Sequence, residues 1–222
     1  MAEKYGEIPP RFTRAWWDYY WYYYRWHVVI ILFAVVFTVF TCVQCASRAK
    51  YDMHISYVGH KIYAQDKLEL LGEMLSPYID DADGNGENSI FVQQLNISGA
   101  AGHEEYDAAS YTKFDIEMQE DCSFLFLLDR EMLENMLNRD YADELFLPVL
   151  GWTEDDLPED MLVSKDGTPY AVSLENSKFM IENDIYHDDV YAVIRRNYKN
   201  NEKNQIAFEG SKKAAIVLTE QN

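Results

Sequence analysis

Cysteine is scarce in this chain, with three residues among 222. That count excludes a fold held together by a framework of disulfides. Cys42 and Cys45 stand in an apolar run and form a C-x-x-C pattern, which redox and metal sites also use. Because the surroundings are apolar, we interpret both as small hydrophobic residues near a helix end. Cys122 stands alone in the rest of the chain.

Basic residues are also few. The chain has 19 lysines and arginines against 38 aspartates and glutamates, so its formal net charge is −19. Binding to a phosphate backbone needs a basic patch, and none is visible, so we expect no nucleic-acid partner. Acidity at this level keeps a domain soluble and can also concentrate cations near its surface.

The common catalytic and nucleotide-binding motifs are missing as well. No G-x-S-x-G elbow, P-loop, H-E-x-x-H or dinucleotide glycine pattern occurs. Four histidines are scattered without the spacing of metal ligands: His54, His60, His103 and His187. The run His187-Asp188-Asp189 allows a metal site at the entrance of a strand, but we favour a solvated turn. Nothing in the sequence favours an enzyme, and the question stays open.

What the chain does have is a long apolar run. Residues 28–42 carry no charge, and residues 28–46 make 19 positions. At about 1.5 Å per residue, that length spans a hydrocarbon core. Amphipathic rings accumulate where a bilayer meets water, and nine of them crowd the preceding segment: Trp16, Trp17, Tyr19, Tyr20, Trp21, Tyr22, Tyr23, Tyr24 and Trp26. We therefore predict a transmembrane helix at 28–46 and contact with a lipid bilayer through residues 16–46.

The flanks of this run suggest its orientation. No small-x-small cleavage site follows cleanly, which is typical of an uncleaved signal anchor rather than a cleaved signal peptide. Basic residues are slightly more frequent before the run than after it: Lys4, Arg11, Arg14 and Arg25 against Arg48, Lys50 and Lys61. The bias favours a cytoplasmic tail at 1–27 and an extracytoplasmic domain at 47–222. We expect a single-pass protein of the cell membrane with its N-terminus inside.

The rest of the chain alternates strand and helix patterns. The order is strand, helix, strand, helix, strand, helix, at 52–59, 64–78, 89–97, 104–120, 123–128 and 130–138. The continuous apolar run SFLFLL at 123–128 is typical of strands in parallel sheets, which are buried on both faces. A long loop, two more strands and a closing helix follow at 141–160, 170–174, 189–195 and 208–219. We predict one layered α/β domain with a mostly parallel sheet.

One loop has the first half of a calcium-binding pattern. Asp81, Asp83 and Asn85 alternate as oxygen ligands, Gly86 permits the turn, and Glu87 follows. Residue 92, where a bidentate glutamate would complete the pattern, is a valine. An acidic turn joining a helix to a strand explains the same residues. Calcium is the one cofactor that the sequence suggests, with ligands Asp81, Asp83, Asn85 and Glu87, and no residue is assigned to catalysis.

Other side chains near the predicted strands allow two interpretations. Five tyrosines either line a carbohydrate or peptide groove or pack the sheet, and we favour packing: Tyr57, Tyr63, Tyr170, Tyr186 and Tyr191. Asp129 ends the buried strand, where α/β folds often keep functional groups. A helix cap explains Asp129 equally well.

Several segments together resemble a family. The aromatic entry WWDYYWYYYRWHVVIILF, the strand YDMHISYVG, the loop DADGNGENSIFVQQ and the strand SFLFLLD resemble a group of uncharacterised single-pass membrane proteins from Gram-positive, clostridial-type gut anaerobes. TPYAVSLENSKF and DVYAVIRR resemble the later half of that group. The resemblance implies no assigned activity. The soluble part of the group loosely resembles one lobe of extracytoplasmic solute-binding proteins, which bind sugars or peptides between two lobes.

We therefore expect a non-enzymatic, membrane-anchored extracytoplasmic domain that binds an envelope protein or a small solute. One alternative is a divalent-cation-dependent envelope hydrolase, suggested by the acidic residues at 81–87 and at 187–189. A second alternative is a membrane sensor that signals to the short tail before the apolar run.

Overall fold

The computed structural model describes residues 9–46, 51–82, 84–120, 123–140, 142–153, 157–199 and 201–220. The chain divides into two compact units, Met1–Ala49 and Lys50–Asn222. Five residues that the sequence analysis used lie outside the described residues: Asp83 of the calcium pattern, Cys122, and three basic residues that flank the apolar run, Lys4, Arg48 and Lys50.

The first unit contains the helix α1, Arg14–Ala46, which has 33 residues. In the described part of the chain it is the one helix long and apolar enough to cross a membrane, over Arg14–Gln44, and none of its most apolar stretch is buried. Thr38 and Thr41 donate their hydroxyls to backbone oxygens one turn earlier, at 2.8 Å each. The helix begins well before the predicted residue 28, so the aromatic segment belongs to it.

The second unit is an α/β domain built on one six-stranded sheet. Its strands are β1 Met53–Gly59, β2 Ile90–Asn96, β3 Ser123–Asp129, β4 Leu162–Lys165, β5 Thr168–Ser173 and β6 Val190–Ile194. Their order across the sheet is β2-β1-β3-β6-β5-β4. The helices are α2 Gln65–Leu75, α3 Glu104–Glu117, α4 Arg130–Leu137, α5 Ala142–Leu145, α6 Lys178–Glu182 and α7 Glu202–Thr219.

The prediction of a mostly parallel sheet is wrong. β1 is parallel to β2 and β3, but the pairs β3–β6, β6–β5 and β5–β4 are antiparallel. The continuous apolar run in β3 reflects burial of the strand on both faces of the sheet. Such burial does not determine whether the neighbouring strands are parallel or antiparallel to it. The antiparallel half starts from a hairpin: β4 turns into β5 through Asp166 and Gly167, whose φ angles are 52° and 79°. Two positive φ angles are what a tight two-residue hairpin turn requires.

Helices cover both faces of the sheet, because alternate strand residues point to opposite sides. On one face, the apolar stripe of α2 and the small residues of α7 pack against the odd-numbered residues of β1. On the other face, α3 and α4 pack against β3 and β6. The buried side chains of α4 are Met132, Leu133, Met136 and Leu137.

The helix α3 has no apolar stripe like that of α4, and a polar cluster around Glu117 helps to hold it against the sheet. Of its residues only Phe114 and Glu117 are buried. Ser123 donates its hydroxyl to the Glu117 carboxylate at 2.7 Å. Burial alone would raise the pKa of Glu117, but the polar side chains around the carboxylate outweigh burial and lower the pKa to about 2: His54, whose Nδ1 lies 4.0 Å away, Ser123 and Gln93. The carboxylate is thus charged within the fold.

The helix α2 packs closely against the sheet at Gly72. A Cβ at this position would lie 2.8 Å from the backbone oxygen of Ile90 and 3.2 Å from Cγ2 of Val92. The backbone of α2 therefore approaches β2 at a distance that only glycine permits.

We expect Gly72→Ala to lower the free energy of unfolding by about 1–3 kcal/mol, because the methyl group must push α2 away from β2. Intrinsic helix propensity alone would favour alanine by about 1 kcal/mol. Urea unfolding of the full chain in detergent, followed by circular dichroism, measures the difference. Glu69→Ala, at an exposed position of the same helix, is the control and should change stability by less than about 0.5 kcal/mol. Equal stability of the two variants would contradict the close packing.

Candidate functional site

The site lies at the edge of the sheet where the parallel strands end. β1 and β3 are neighbours, and the helices that follow them, α2 and α4, pack on opposite faces of the sheet. A crevice opens at such a point, and α/β proteins commonly bind ligands there. Since β6 runs antiparallel to β3, the loop that enters β6 reaches the same edge.

Three of the five tyrosines come together in this crevice. The ring centroid of Tyr63 lies 4.8 Å from that of Tyr57 and 4.9 Å from that of Tyr186. The Tyr57 hydroxyl donates to the backbone oxygen of Tyr186 at 3.2 Å. The other two, Tyr170 and Tyr191, are buried in the core on the opposite face. The packing interpretation is thus right for those two and also for Tyr57, which is 3% exposed and belongs to the core beneath the cleft. Tyr63 and Tyr186 are partly exposed and line the cleft.

The cleft has a volume of about 400 Å³, within the range typical of small-molecule sites. The segment between β1 and α2 forms one wall and the segment between α6 and β6 forms the other. The lining residues are Tyr57, Ile62, Tyr63, Ala64, Lys67, Leu68, Asp184, Ile185, Tyr186, His187 and Asp188. Ile62 is 79% exposed, so the cleft offers apolar surface to solvent.

Side chains of β2 fix the wall that precedes α2. The amide of Gln94 accepts from the backbone N–H of Tyr63 at 2.8 Å and donates to the backbone oxygen of Lys61 at 2.9 Å. The amide of Asn96 donates to the backbone oxygen of His60 at 3.0 Å. The side chains of β2 therefore fix the backbone of residues 60–63, and with it the position from which the Tyr63 side chain enters the cleft.

Two lysines link the walls across the mouth of the cleft. The Nζ of Lys67 lies 2.7 Å from Oδ2 of Asp184. Lys61 donates to the Tyr186 hydroxyl, and its Nζ lies 4.6 Å from the centroid of that ring. The hydrogen bond to Tyr186 raises the pKa of Lys61, and the charges of Asp189 and Asp188 add to this.

The hydroxyls of Tyr57 and Tyr63 stay protonated. Burial raises the pKa of Tyr57 well above its ordinary value, and burial together with the neighbouring Tyr186 raises the pKa of Tyr63. Both side chains are therefore neutral. Tyr57 is buried and its hydroxyl is bonded to Tyr186, so Tyr63 is the one of the two that can offer its hydroxyl to a ligand.

The sequence allowed two roles for Asp129, a functional group or a helix cap. In the structure Asp129 caps α4. Its Oδ1 accepts from the backbone N–H of Met132 at 2.9 Å. Its Oδ2 lies 2.7 Å from both the backbone nitrogen and Nδ1 of His60. The Nε2 of His60 lies 3.3 Å from Glu131. Both ring nitrogens of His60 thus contact carboxylates, and the group fastens the end of β1 to the start of α4.

The pKa of His60 is raised. Partial burial lowers it, but the hydrogen bond to Asp129 and the charges of Asp129, Glu131 and Asp107 outweigh burial. A raised pKa means that the folded state holds the proton more tightly than the unfolded chain does. The resulting stabilisation is fully present below the unfolded value of about 6.5 and is lost as the pH rises through the folded value.

We therefore expect the wild-type protein to lose stability, relative to His60→Gln, as the pH is raised from 6 to 9. Glutamine keeps a donor towards Asp129 but does not titrate. The measurement is the midpoint of urea unfolding of both full-length proteins across this pH range. His103→Gln, at an exposed histidine, is the control and should keep the wild-type profile. Parallel profiles for the wild type and His60→Gln would contradict the proposed ion cluster.

The calcium pattern forms a loop whose oxygens contact its own backbone. The carboxylate of Asp81 accepts from the N–H groups of Gly84 and Gly86 at 2.6 and 2.7 Å. The amide oxygen of Asn85 accepts from the N–H of Glu87 at 2.7 Å. Within the described ranges, which omit Asp83, no group of three His, Cys, Asp or Glu side chains could hold a metal ion. The calcium site stays a prediction, which the melting temperature with and without calcium would test.

The run 187–189 forms a turn. Asp189 has a φ of 62°, a conformation that aspartate tolerates in turns, and its Oδ1 lies 3.2 Å from Nε of Arg130. The Nδ1 of His187 lies 2.8 Å from the backbone oxygen of Ile185. These side chains secure the loop that carries Tyr186, which matches the favoured interpretation as a turn.

Sequence reasoning missed the charged residues of the mouth, Lys61, Lys67 and Asp184. Lys61 follows the end of β1 almost directly, so its place near the carboxyl edge could have been inferred. Its partner Tyr186 lies 125 positions further on, and Asp184 lies 117 positions beyond Lys67. No local pattern reveals pairs at such separations.

Comparison of the chain with known proteins gives no precedent for this site. No family model, no curated protein and no solved structure matches the chain. The chemistry of the site is therefore inferred from its own residues.

Proposed function

We propose that this protein is a membrane-anchored, non-enzymatic binding protein. Its acidic α/β domain lies outside the cytoplasm and holds a small solute in the cleft formed by Tyr57, Tyr63 and Tyr186. The observation that carries the proposal is the meeting of three tyrosine rings over a cleft of about 400 Å³ at the carboxyl edge of the parallel strands. Clefts with aromatic walls and a few polar groups are the usual form of small-molecule sites.

The geometry of the polar groups supports binding rather than catalysis. His60, at the end of β1, has carboxylates at both ring nitrogens. Lys61 and Lys67 contact a tyrosine hydroxyl and a carboxylate of the opposite wall. Because these contacts hold the walls in place, the cleft has the fixed shape that a binding site needs.

The length and composition of the helix α1 support the proposal of a membrane anchor. With 33 residues it is about 50 Å long, more than a hydrocarbon core of about 30 Å needs. The excess at its N-terminal end carries the aromatic residues, whose rings contact one another one turn apart. Trp16 stacks on Tyr20 at 5.4 Å and Tyr20 on Tyr24 at 5.0 Å, and the tilted rings of Tyr19 and Tyr23 lie 4.9 Å apart. Such rings fit the interfacial region of a bilayer. In our proposal the tail is cytoplasmic and the aromatic segment lies at the inner surface.

The binding proposal is tested by blocking the cleft. Ala64 is an exposed residue of its wall, and we expect Ala64→Trp to fill the cleft without disturbing the core. Full-length wild-type and variant proteins in detergent are incubated with an extract of small molecules from the source cells, washed and analysed by mass spectrometry. We expect a solute that is retained by the wild type and reduced at least tenfold in the variant. Ala109→Trp, on the exposed surface of α3, should retain the solute.

Two results would overturn binding in the cleft. One is equal retention of every solute by the wild type and Ala64→Trp. The other is the absence of any solute above the level of a detergent blank. Matching circular dichroism spectra of the three proteins ensure that a loss of binding is not a loss of fold.

The orientation is tested by protease treatment of intact, wall-stripped cells that carry an epitope after Asn222. We expect the epitope to disappear from intact cells while a cytoplasmic marker protein survives. Survival of the epitope until the membrane is broken would place the domain inside the cell, and the extracytoplasmic part of the proposal would be wrong.

A further inference from the structure

The domain has a second surface with open bonding groups, the outer edge of β2. We propose that this edge takes an extended segment of a partner protein as an added strand, and that the segment alternates basic and apolar residues. The inference goes beyond the solute cleft, since no residue that lines the cleft takes part. It is carried by the open backbone of β2, by the contrast with the other edge of the sheet and by two glutamates beside β2.

The outward backbone groups of β2 lack partners among the described residues. The oxygen of Ser89 accepts from the N–H of Met53, and the N–H of Ile97 donates to the oxygen of Gly59. Because alternate residues of a parallel strand bond the same neighbour, the odd-numbered residues from 89 to 97 are turned to β1. The backbone groups of the four residues between them point away from β1: Ile90, Val92, Gln94 and Asn96. A row of such groups is a template for another strand.

A groove of about 390 Å³ lies along the first half of this edge. Ile90, Phe91 and Val92 all line it, although successive residues of a strand point to opposite faces of the sheet. A groove that meets three successive residues lies at the edge of the strand and not over one face. Phe91 and Tyr51, whose ring centroids are 5.1 Å apart, form one side of the groove, and α2 forms the other.

The opposite edge of the sheet has features that prevent strand addition, whereas β2 has none of them. β4 has four residues, its pairing with β5 is irregular between Val163 and Ser164, and it ends in Lys165. A short strand, an irregular register and an edge lysine all discourage pairing with another chain. β2 has seven residues, pairs with β1 in one uninterrupted register, and contains no charged residue, proline or glycine. Only one edge of this sheet is therefore suited to a partner strand.

Two glutamates of α2 determine the charge that the added strand needs. Glu69 and Glu73 are exposed and line the groove, and none of the described residues that line it is basic. Glu69 accepts from the neutral amide of Gln65 at 3.1 Å. Lys67, the one lysine of α2, is paired with Asp184 instead. Negative charge beside an open strand edge favours a partner with basic side chains.

The spacing of the glutamates matches that of an extended chain. Glu69 and Glu73 are four positions apart, so they lie on the same face of α2, about 6 Å apart along its axis. Residues two apart in a strand are about 6.7 Å apart and point to the same side. Since α2 connects two parallel strands, it runs roughly antiparallel to them. Basic residues at alternate positions of the added strand therefore reach both glutamates, while the residues between them lie on the side of Phe91.

A second copy of this chain is the other possible occupant of the edge. Two β2 strands paired around a two-fold axis would bring the α2 helices of both copies side by side on one face of the joined sheet. Glu69 and Glu73 of the two copies would then lie near one another, and like charges so placed repel. The charge of the groove therefore favours a basic partner over self-pairing.

Short peptides test the inference. The probe is the fluorescent peptide Thr-Lys-Val-Lys-Val-Lys-Thr, and its binding to the full-length protein in dodecyl maltoside at low salt is followed by fluorescence anisotropy. We expect saturable binding, which becomes about fivefold weaker when the lysines are replaced by glutamine.

Two further peptides test pairing through the backbone. One carries N-methyl groups on its lysines and the other on its valines. Because alternate residues of the added strand turn towards β2, we expect one of the two to bind at least tenfold more weakly and the other to bind as the parent peptide does.

Variants locate the site. We expect Glu69→Gln combined with Glu73→Gln to weaken binding of the lysine peptide about fivefold and to leave binding of the glutamine peptide unchanged. The control is Glu134→Gln combined with Glu182→Gln, at exposed positions of α4 and α6, which should bind both peptides as the wild type does. Ala64→Trp should also bind them normally, so the result is independent of the solute cleft.

Several outcomes would overturn the inference. If the two methylated peptides bind alike, the segment does not pair through one edge of its backbone. If the lysine and glutamine peptides bind equally, or if the double glutamate variant binds the lysine peptide as the wild type does, the partner is not selected by these glutamates. If no peptide binds saturably and the double glutamate variant forms dimers in sedimentation, a second copy occupies the edge. Absence of both binding and dimers would show that the edge has no strand partner.

Discussion

The carboxylate of Asp129 is the contact on which the edge of the sheet depends. It occupies space that a side chain at residue 59 would fill, since a Cβ on Gly59 would lie 2.4 Å from its Oδ2. From this position it accepts hydrogen bonds from the backbone N–H of Met132, in the first turn of α4, and from the backbone N–H of His60. One buried side chain therefore joins the ends of two parallel strands. The direction in which the chain leaves β1, and with it the wall that carries Lys61 and Tyr63, follows from this contact.

The same edge shows how a strongly acidic protein keeps an ordered cleft. Each cation at the mouth contacts the wall opposite its own, so attraction acts across the cleft. Exposed ion pairs are individually weak. Here they act together with hydrogen bonds between the backbone and the side-chain amides of Gln94 and Asn96, which do not depend on ionic strength. Added salt would thus weaken the charged contacts at the mouth, while the backbone of residues 60–63 would stay in place.

Local sequence patterns predict many of the strands and helices, but they do not predict the order of the strands or the direction of their pairing. The strands β1, β2 and β3 and the helices α2 and α4 lie where alternation and helical spacing predict them, because each buries one face of its own residues. In the antiparallel half, β5 and β6 overlap the strands predicted at 170–174 and 189–195. The strand β4 was missed because it has four residues, and without its hairpin the predicted strands carried no sign of antiparallel pairing. The Asp166-Gly167 pair was nevertheless a readable hairpin signal. Tyr57 and Tyr186 could be assigned to strand ends, but their meeting depends on the order of the strands. That order arises from tertiary packing, which a single sequence does not display.

The place of β6 in the sheet has a consequence for how the chain is made. β6 is the last strand in the sequence, yet it lies between β3 and β5. A ribosome that has produced everything up to residue 189 has therefore made two apolar strands whose shared neighbour is still missing. Until β6 arrives, β3 and β5 present open edges that can pair with other chains. Pairings over such long separations also form slowly. Prematurely terminated chains should for this reason be aggregation-prone, and a growing chain needs protection until its final fifth has emerged.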